Sequence, residues 1–249
     1  MKTIKKMFIL FISATALMYT PGCFVDLDDD DDFFGCVDAD GAIVNEVINM
    51  ASFDAIDLRI AGKVYIRQGN QQRVEIEAPQ RLIDEMEFDV RGGEWEIKTD
   101  RCVRYDNDDL IIYITLPKIS SLKISGSGDI ISENTLEVED LDLRISGSGS
   151  IDAAIEADDI DATISGSGDI YLEGRADVLN FVISGSGDFR GFNLLVNAAK
   201  ITISGSGDVE VSVVDALDVK IFGSGDVYYK GTPTINTQIS GSGKVINAN

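Results

Sequence analysis

The sequence predicts an all-β fold, a right-handed parallel β-helix (β-solenoid) with coils of about 19 residues and a more irregular β-rich part before it. Three observations predict it. A six-residue motif, Ile-Ser-Gly-Ser-Gly-Asp, starts at Ile124 and returns, nearly unchanged, at Ile145, Ile164, Ile183, Ile203, Ile221 and Ile239, with spacings of 21, 19, 19, 20, 18 and 18 residues. Between copies the apolar residues alternate with polar ones at period two, which leaves no helical stripe. No hairpin turn separates one copy from the next, so the copies must wind in one direction, each burying its apolar face only against its neighbours.

Taken in order, the chain begins with an address. Lys2, Lys5 and Lys6 precede the apolar run from Met7 to Leu17, the pattern of a secretory signal peptide over residues 1–22, too short to span a bilayer comfortably. Thr20-Pro21-Gly22-Cys23 resembles the lipobox of bacterial lipoproteins, in which the cysteine is lipidated and becomes the new N-terminus. Gly22 and Cys23 fit that pattern, while Thr20 and Pro21 fit it less well. Residues 23–40 follow as an acidic linker whose run from Asp28 to Asp32 has nothing with which to build a core. Such a tract after the lipidated cysteine also resembles the signal that sends some lipoproteins to the outer face of the outer membrane. The expected location is therefore the outer membrane, surface exposed, with the periplasmic face as the alternative.

With Cys23 carrying lipid, Cys36 and Cys102 remain as a pair in an oxidising compartment, which favours a disulfide over a metal site; two separate buried thiols are the alternative. A bridge would close a long loop and stabilise by roughly 4 kcal/mol on the chain-entropy argument.

Residues 41–118 read as short strands with degenerate repeats. The alternation of Ile56, Leu58 and Ile60 before Gly62 makes residues 56–66 a degenerate copy, two residues shorter at its glycine turn than the others. Gly69-Asn70-Gln71-Gln72 reads as a hairpin-like turn before Val74. Pro79 opens a short helix with Leu82, Ile83 and Met86 on one side. Arg91-Gly92-Gly93 turns between two strands, and the run from Leu110 to Leu116 ends at Pro117, a hinge to the regular array of residues 119–249.

Within the array, from the second copy to the sixth, the residues four and two before the isoleucine share its parity and are apolar, as with Leu141 and Leu143 or Leu179 and Phe181. They point inward. The two glycines of the motif also fall on the inward side, where a side chain would collide with the adjacent coil. The serines fall outward, as does the aspartate. Position six is apolar again, from Ile130 through Val245, and starts a second strand. At about 4.8 Å per rung, seven coils make a ladder roughly 30 Å long. The last copy is more polar, with Thr237 inward and Lys244 in place of aspartate, as suits a terminal cap over an otherwise open edge.

Phe53-Asp54-Ala55-Ile56, the Gln68-Gly69-Asn70 turn, Leu116-Pro117 and the glycine-serine copies together resemble the head GIN domain family of autotransporter adhesin heads. The resemblance covers nearly all of the chain after residue 41. It implies an exported β-helical domain and leaves activity open, since fold does not carry function.

Composition narrows the function classes. A formal charge of -22 repels nucleic acid and anionic headgroups. The absence of histidine removes the usual general base and most zinc sites. A polysaccharide lyase or hydrolase would need clustered carboxylates with Lys or Arg in a groove, and no catalytic insertion breaks the repeat. The expectation is a non-enzymatic envelope lipoprotein, attached to the membrane by lipid and contacting an extracellular or envelope ligand, glycan or protein, through its long outer face. The exposed columns Ser125, Ser127, Ser146, Ser148, Ser165, Ser167, Ser184, Ser186, Ser204 and Ser206 are the candidate contact residues, with Tyr171, Tyr228 and Tyr229 nearby. A passive structural spacer is the alternative. Asp129, Asp169, Asp188, Asp208 and Asp226 form a column of like charge that needs an offset. Hydrogen bonds from each aspartate's own glycine turn would supply it. A row of Ca²⁺ ions would supply it too, although a calcium β-roll carries its motif in both halves of each coil and only one half has it here. No other cofactor is expected, and the oligomeric state is not readable.

Overall fold

The isoleucines of the motif lie directly over one another. In the computed structural model, which describes residues 35–249, parallel pairing sets Ile124 beside Ile145, and then Ile164, Ile183, Ile203, Ile221 and Ile239 follow rung by rung. Leu58 and Ile97 extend the same column at the other end. A second column, from Ile112 and Val64 through Ile130, Ile151, Ile170, Phe189, Val209 and Val227 to Val245, lines the next wall of each coil. The molecule is thus the predicted solenoid of stacked parallel coils. The signal segment, Cys23 and the acidic run lie outside the described residues. No helix among the described residues is long and apolar enough to cross a membrane.

Each inner rung of the array contributes several buried side chains, for example Ile151, Ala153, Ile155, Ile160 and Ile164. Burying a large aliphatic side chain stabilises by about 1.5–3 kcal/mol, but a lone coil has nothing to bury it against. Stacking supplies the partner. Volumes are matched across rungs: Phe181 sits over Ala162 in register, and its ring meets that of Phe189 at 4.5 Å between centroids.

The chain does not stack in the order in which it is written. The rung formed by Ala55–Leu58 and Lys63–Gln68 lies in the middle, with Glu94–Ile97 and Ile111–Leu116 on one side and Ser121–Ile124 and Asp129–Ser132 on the other. After building the outer rung the chain crosses back over the middle one through residues 117–120. Ser120 is tied there by its N–H to the carbonyl of Asp54 at 2.8 Å.

Two expectations for this region are corrected. The copy at residues 56–66 is not shorter: Leu58, rather than Ile60, takes the place of the isoleucine, and Lys63 pairs with Asp129, so the turn has the same length as in the array. The segment at Gly69 to Gln72 does not close a hairpin. Lys63–Gln68 and Arg73–Pro79 instead flank Ile111–Leu116, parallel on one edge and antiparallel on the other. That inserted strand buries Ile112, Ile114 and Leu116, which a simple hairpin would leave without cover.

This end of the solenoid is closed. Ile43–Ile48 adds antiparallel to Arg73–Pro79. The helix Gln80–Asp84 buries Leu82 and Ile83, and Trp95 is enclosed with its Nε1–H donating to the carbonyl of Glu87 at 2.9 Å. Gly92 and Gly93, with φ of +62° and +83°, make the predicted tight turn between Val90–Arg91 and Glu94–Ile97. Cys36 and Cys102 form the disulfide, beside the short parallel pair Val37–Asp38 and Val103–Arg104. At the other end the polar last copy forms the terminal rung. All of Thr234–Ile239 is exposed, including Ile235 at 38% and Ile239 at 45%, because no further rung covers their inward side.

Candidate binding surface

The outer wall is built by the motif itself. Through the glycine-serine segment the backbone keeps pairing from rung to rung: Ser146 N–H donates to Ile124 O at 2.9 Å, Ser148 N–H to Gly126 O at 3.1 Å, and the bonds of Ser165, Ser167, Ser184, Ser186, Ser204 and Ser206 repeat the pattern. The N–H groups of these serines are therefore satisfied by main chain, without any serine hydroxyl.

That continuity needs glycine on the inner side. A methyl group at Gly147 would sit 1.7 Å from the carbonyl oxygen of Gly126, and one at Gly185 would sit 1.8 Å from that of Gly166. None of the motif glycines has a left-handed backbone. Close approach of adjacent rungs, not unusual dihedrals, is what requires them.

The ten candidate serines are all exposed and stand in two parallel columns. Ser125 is the one whose hydroxyl has a protein partner, donating to Oδ1 of Asp57 at 2.8 Å. Phe222 replaces a serine in the sixth copy and is itself 49% exposed. The structure thus places the predicted serines together on one wall, at the spacing of paired strands.

Beside them runs the aspartate column, half-buried. Each carboxylate accepts from the next rung rather than from its own turn. Asp188 N–H donates to Asp169 Oδ1 at 2.7 Å, Asp208 N–H to Asp188 Oδ1 at 2.8 Å, Asp226 N–H to Asp208 Oδ1 at 2.7 Å and Lys244 N–H to Asp226 Oδ1 at 2.7 Å. Asp129 receives both the N–H and the hydroxyl of Ser150, which ends that segment of the ladder because a serine has no carboxylate to pass on. This corrects the expected bonds to each residue's own glycine turn. One oxygen of every aspartate in the column is thereby occupied by main chain.

Among the described residues, the three carboxylates that converge, with oxygens within 4.8 Å of one another, are Asp57, Glu94 and Glu96, on the rungs beyond the array. Their charge is met by protein cations. Arg59 pairs with Asp57 and Glu96, Lys98 with Glu96 and Glu87, and Lys123 with Glu94. The Lys98 hydrogen bond, helped by the charge of Arg59, holds the Glu96 carboxyl below the usual carboxylate range.

Two features of the wall escaped the sequence. Residues Glu137, Glu139, Asp140, Asp159 and Asp161, with Lys118, line an acidic hollow of about 550 Å³ at the far corner of the first array rungs. A second hollow, of about 270 Å³, opens next to the aspartate column where the register between rungs slips at Tyr171/Glu173 and Gly191/Leu195. Tyr171, Phe192, Arg190 and Glu210 line it. Tyr171 is 41% exposed, Arg190 bridges Asp188 and Glu210, and Lys230 caps the Phe192 ring at 4.2 Å. The 20-residue spacing from Ile183 to Ile203 was the signal that could have located it.

Comparison with known proteins agrees with the architecture. Residues 52–233 match the family model described as "Putative auto-transporter adhesin, head GIN domain". No curated protein matches the sequence. Among solved structures, a "putative adhesin" from Bacteroides fragilis NCTC 9343 is 25% identical, with a TM-score of 0.80 over 85% of this chain and 99% of that one. A "putative adhesin" from Parabacteroides distasonis ATCC 8503, also 25% identical, superposes with a TM-score of 0.69 over 86% and 100%. A "putative lipid binding protein" from the same organism, 23% identical, has a TM-score of 0.72 over 86% and 100% and shows the shared fold.

Proposed function

Because the chain belongs to the head GIN domain family of auto-transporter adhesin heads, we propose that it is an exported, non-enzymatic surface module that contacts its ligand through the serine-lined outer wall. The observation that carries this reading is the pair of serine columns. Nine of the ten candidate hydroxyls have no protein hydrogen bond, and the N–H groups of the serines from Ser146 onward are already paired with the rung beneath, so the hydroxyls offer donors and acceptors that cost the fold nothing to engage. A repetitive ligand, such as a glycan chain or an extended polypeptide, matches a repetitive wall.

Three further points support the surface assignment. The Cys36–Cys102 disulfide belongs to an oxidising compartment. The leading residues have the pattern of a lipoprotein signal, which assigns Cys23 as the anchor to the membrane. The solved adhesin relatives share the whole fold. Calcium is not needed to account for the aspartate column, since each carboxylate is engaged by the next rung.

The test is binding to glycan arrays and to whole cells by the protein and by a variant in which Ser146, Ser148, Ser165, Ser167, Ser184 and Ser186 become alanine. Binding by the protein that falls at least several-fold in the variant, with an unchanged melting temperature, is the expected result. Equal binding by both would remove the wall as the contact surface, and binding by neither would leave a passive spacer.

A further inference from the structure

We propose that the open last rung is a self-association surface, through which two copies of the chain join end to end by antiparallel pairing of Thr234–Ile239 into a closed two-fold dimer.

The strand Thr234–Ile239 pairs with Ala216–Ile221 on one side only. Ser240 N–H donates to Ile221 O at 2.7 Å. Since main-chain groups of successive residues point to opposite edges of a strand, the even-numbered residues of this segment face the rung beneath, and the N–H and C=O groups of Ile235, Thr237 and Ile239 face outward. The side chains of these same three residues lie on the inward parity, and Ile235 and Ile239 are exposed. The end of the solenoid therefore presents an unpaired strand edge and an apolar interior together, the combination that pairs with another strand.

Charge selects the occupant. The chain carries 43 acidic residues, yet residues 231–249 contain none and hold a single charged side chain, Lys244. A segment without acidic side chains lowers the repulsion that a second copy of so acidic a protein meets. The last rung is such a segment. A two-fold axis across the end makes the partner strands antiparallel, so the same outward groups satisfy one another in both copies.

The opposite end is built differently. Its edge strand Ile43–Ile48 also exposes Ile43 and Val47, but it runs antiparallel to its one neighbour and carries Glu46 between them, close to Asp38 and Asp40 in sequence, so a second acidic copy is disfavoured there. Association at one end alone closes as a dimer instead of extending as a fibre. If the outer wall is the ligand surface proposed above, the dimer doubles its length and its valency. The self-association argument does not depend on that reading.

Sedimentation velocity of the full chain in mild detergent, between about 1 and 100 µM, tests the proposal. The expected result is a concentration-dependent dimer. Thr237→Pro removes one outward N–H without touching the pairing to the rung below, and proline is tolerated at such an edge; Ile235→Asp places a like charge at the interface. Both should weaken dimerisation by about tenfold or more, with circular dichroism unchanged, while Val47→Asp at the closed end should leave it intact. If one of the two last-rung variants fails to fold, the other decides. A monomer at every concentration overturns the proposal, whether or not the edge binds a strand of another protein. A dimer that survives the last-rung change, or one lost in Val47→Asp, overturns it as well.

Discussion

Asp188 is both donor and acceptor in one ladder: its N–H reaches Oδ1 of Asp169 at 2.7 Å, and its own Oδ1 receives the N–H of Asp208 at 2.8 Å. Like charges one rung apart repel by an amount on the order of 1 kcal/mol in water. The hydrogen bonds of a carboxylate to main-chain N–H groups, roughly 1.5–3 kcal/mol each, outweigh it.

Asp188→Asn keeps the acceptor oxygen and removes both the repulsion from its column neighbours and the exposed ion pair with Arg190, two effects of similar size, so its stability should stay within about 1 kcal/mol of the parent. Asp188→Ala leaves the N–H of Asp208 without its partner and should cost about 1–3 kcal/mol. Urea denaturation of the two variants measures the difference, and equal losses would show that the acceptor is unimportant.

The glycines of the motif should be far less replaceable than those of ordinary turns. A methyl group at Gly185 would lie 1.8 Å from main-chain oxygen, whereas at Gly92 nothing lies within 4 Å and only the φ of +62° opposes it. Gly92→Ala should cost about 1–2 kcal/mol. Gly185→Ala forces adjacent rungs apart and should cost about 3 kcal/mol or more. Thermal melting orders the two, and the reverse order would contradict the close stacking of the rungs.

Reduction of the Cys36–Cys102 bridge frees a loop with a sequence separation of 66. The chain-entropy argument predicts a loss of up to about 4 kcal/mol. Hydrogen exchange after reduction should rise first around Val37–Asp38 and Val103–Arg104, whose pairing lies next to the bridge, and should leave the array protected.

Tyr105 supplies a pH-dependent term. Burial, opposed by the hydrogen bond its hydroxyl makes to the carbonyl of Ala61 at 2.7 Å, pushes its pKa up to about 12 from an ordinary value of 10.0. Below the unfolded value both states are protonated and the full stability is present. As pH rises through the window from 10 to 12 the unfolded chain ionises first, and stability falls. A shift of that size corresponds to roughly 2–3 kcal/mol before solvent screening is discounted. Tyr105→Phe should flatten this part of the stability curve, measured by denaturation across the window; an unchanged slope would count against burial as the cause.

The residues of the array determined its architecture by themselves. A repeat near 19 residues with inward isoleucines can bury its apolar face in only one way, by stacking in register, and the glycines declare where rungs approach closest. The serine wall was legible for the same reason, since parity alone sends those side chains outward. Tertiary structure decided what parity cannot express. Which N–H meets each aspartate depends on the distance between rungs, so the ladder runs upward to the next coil rather than within a turn. The non-sequential placement of residues 55–68 between two later segments, and the strand Ile111–Leu116 between two strands that read as a hairpin, arise from long-range pairing that leaves no local periodicity. The open last rung is likewise a property of the stack: Ile235 and Ile239 have the spelling of core residues, and only the lack of a neighbour above them makes them surface.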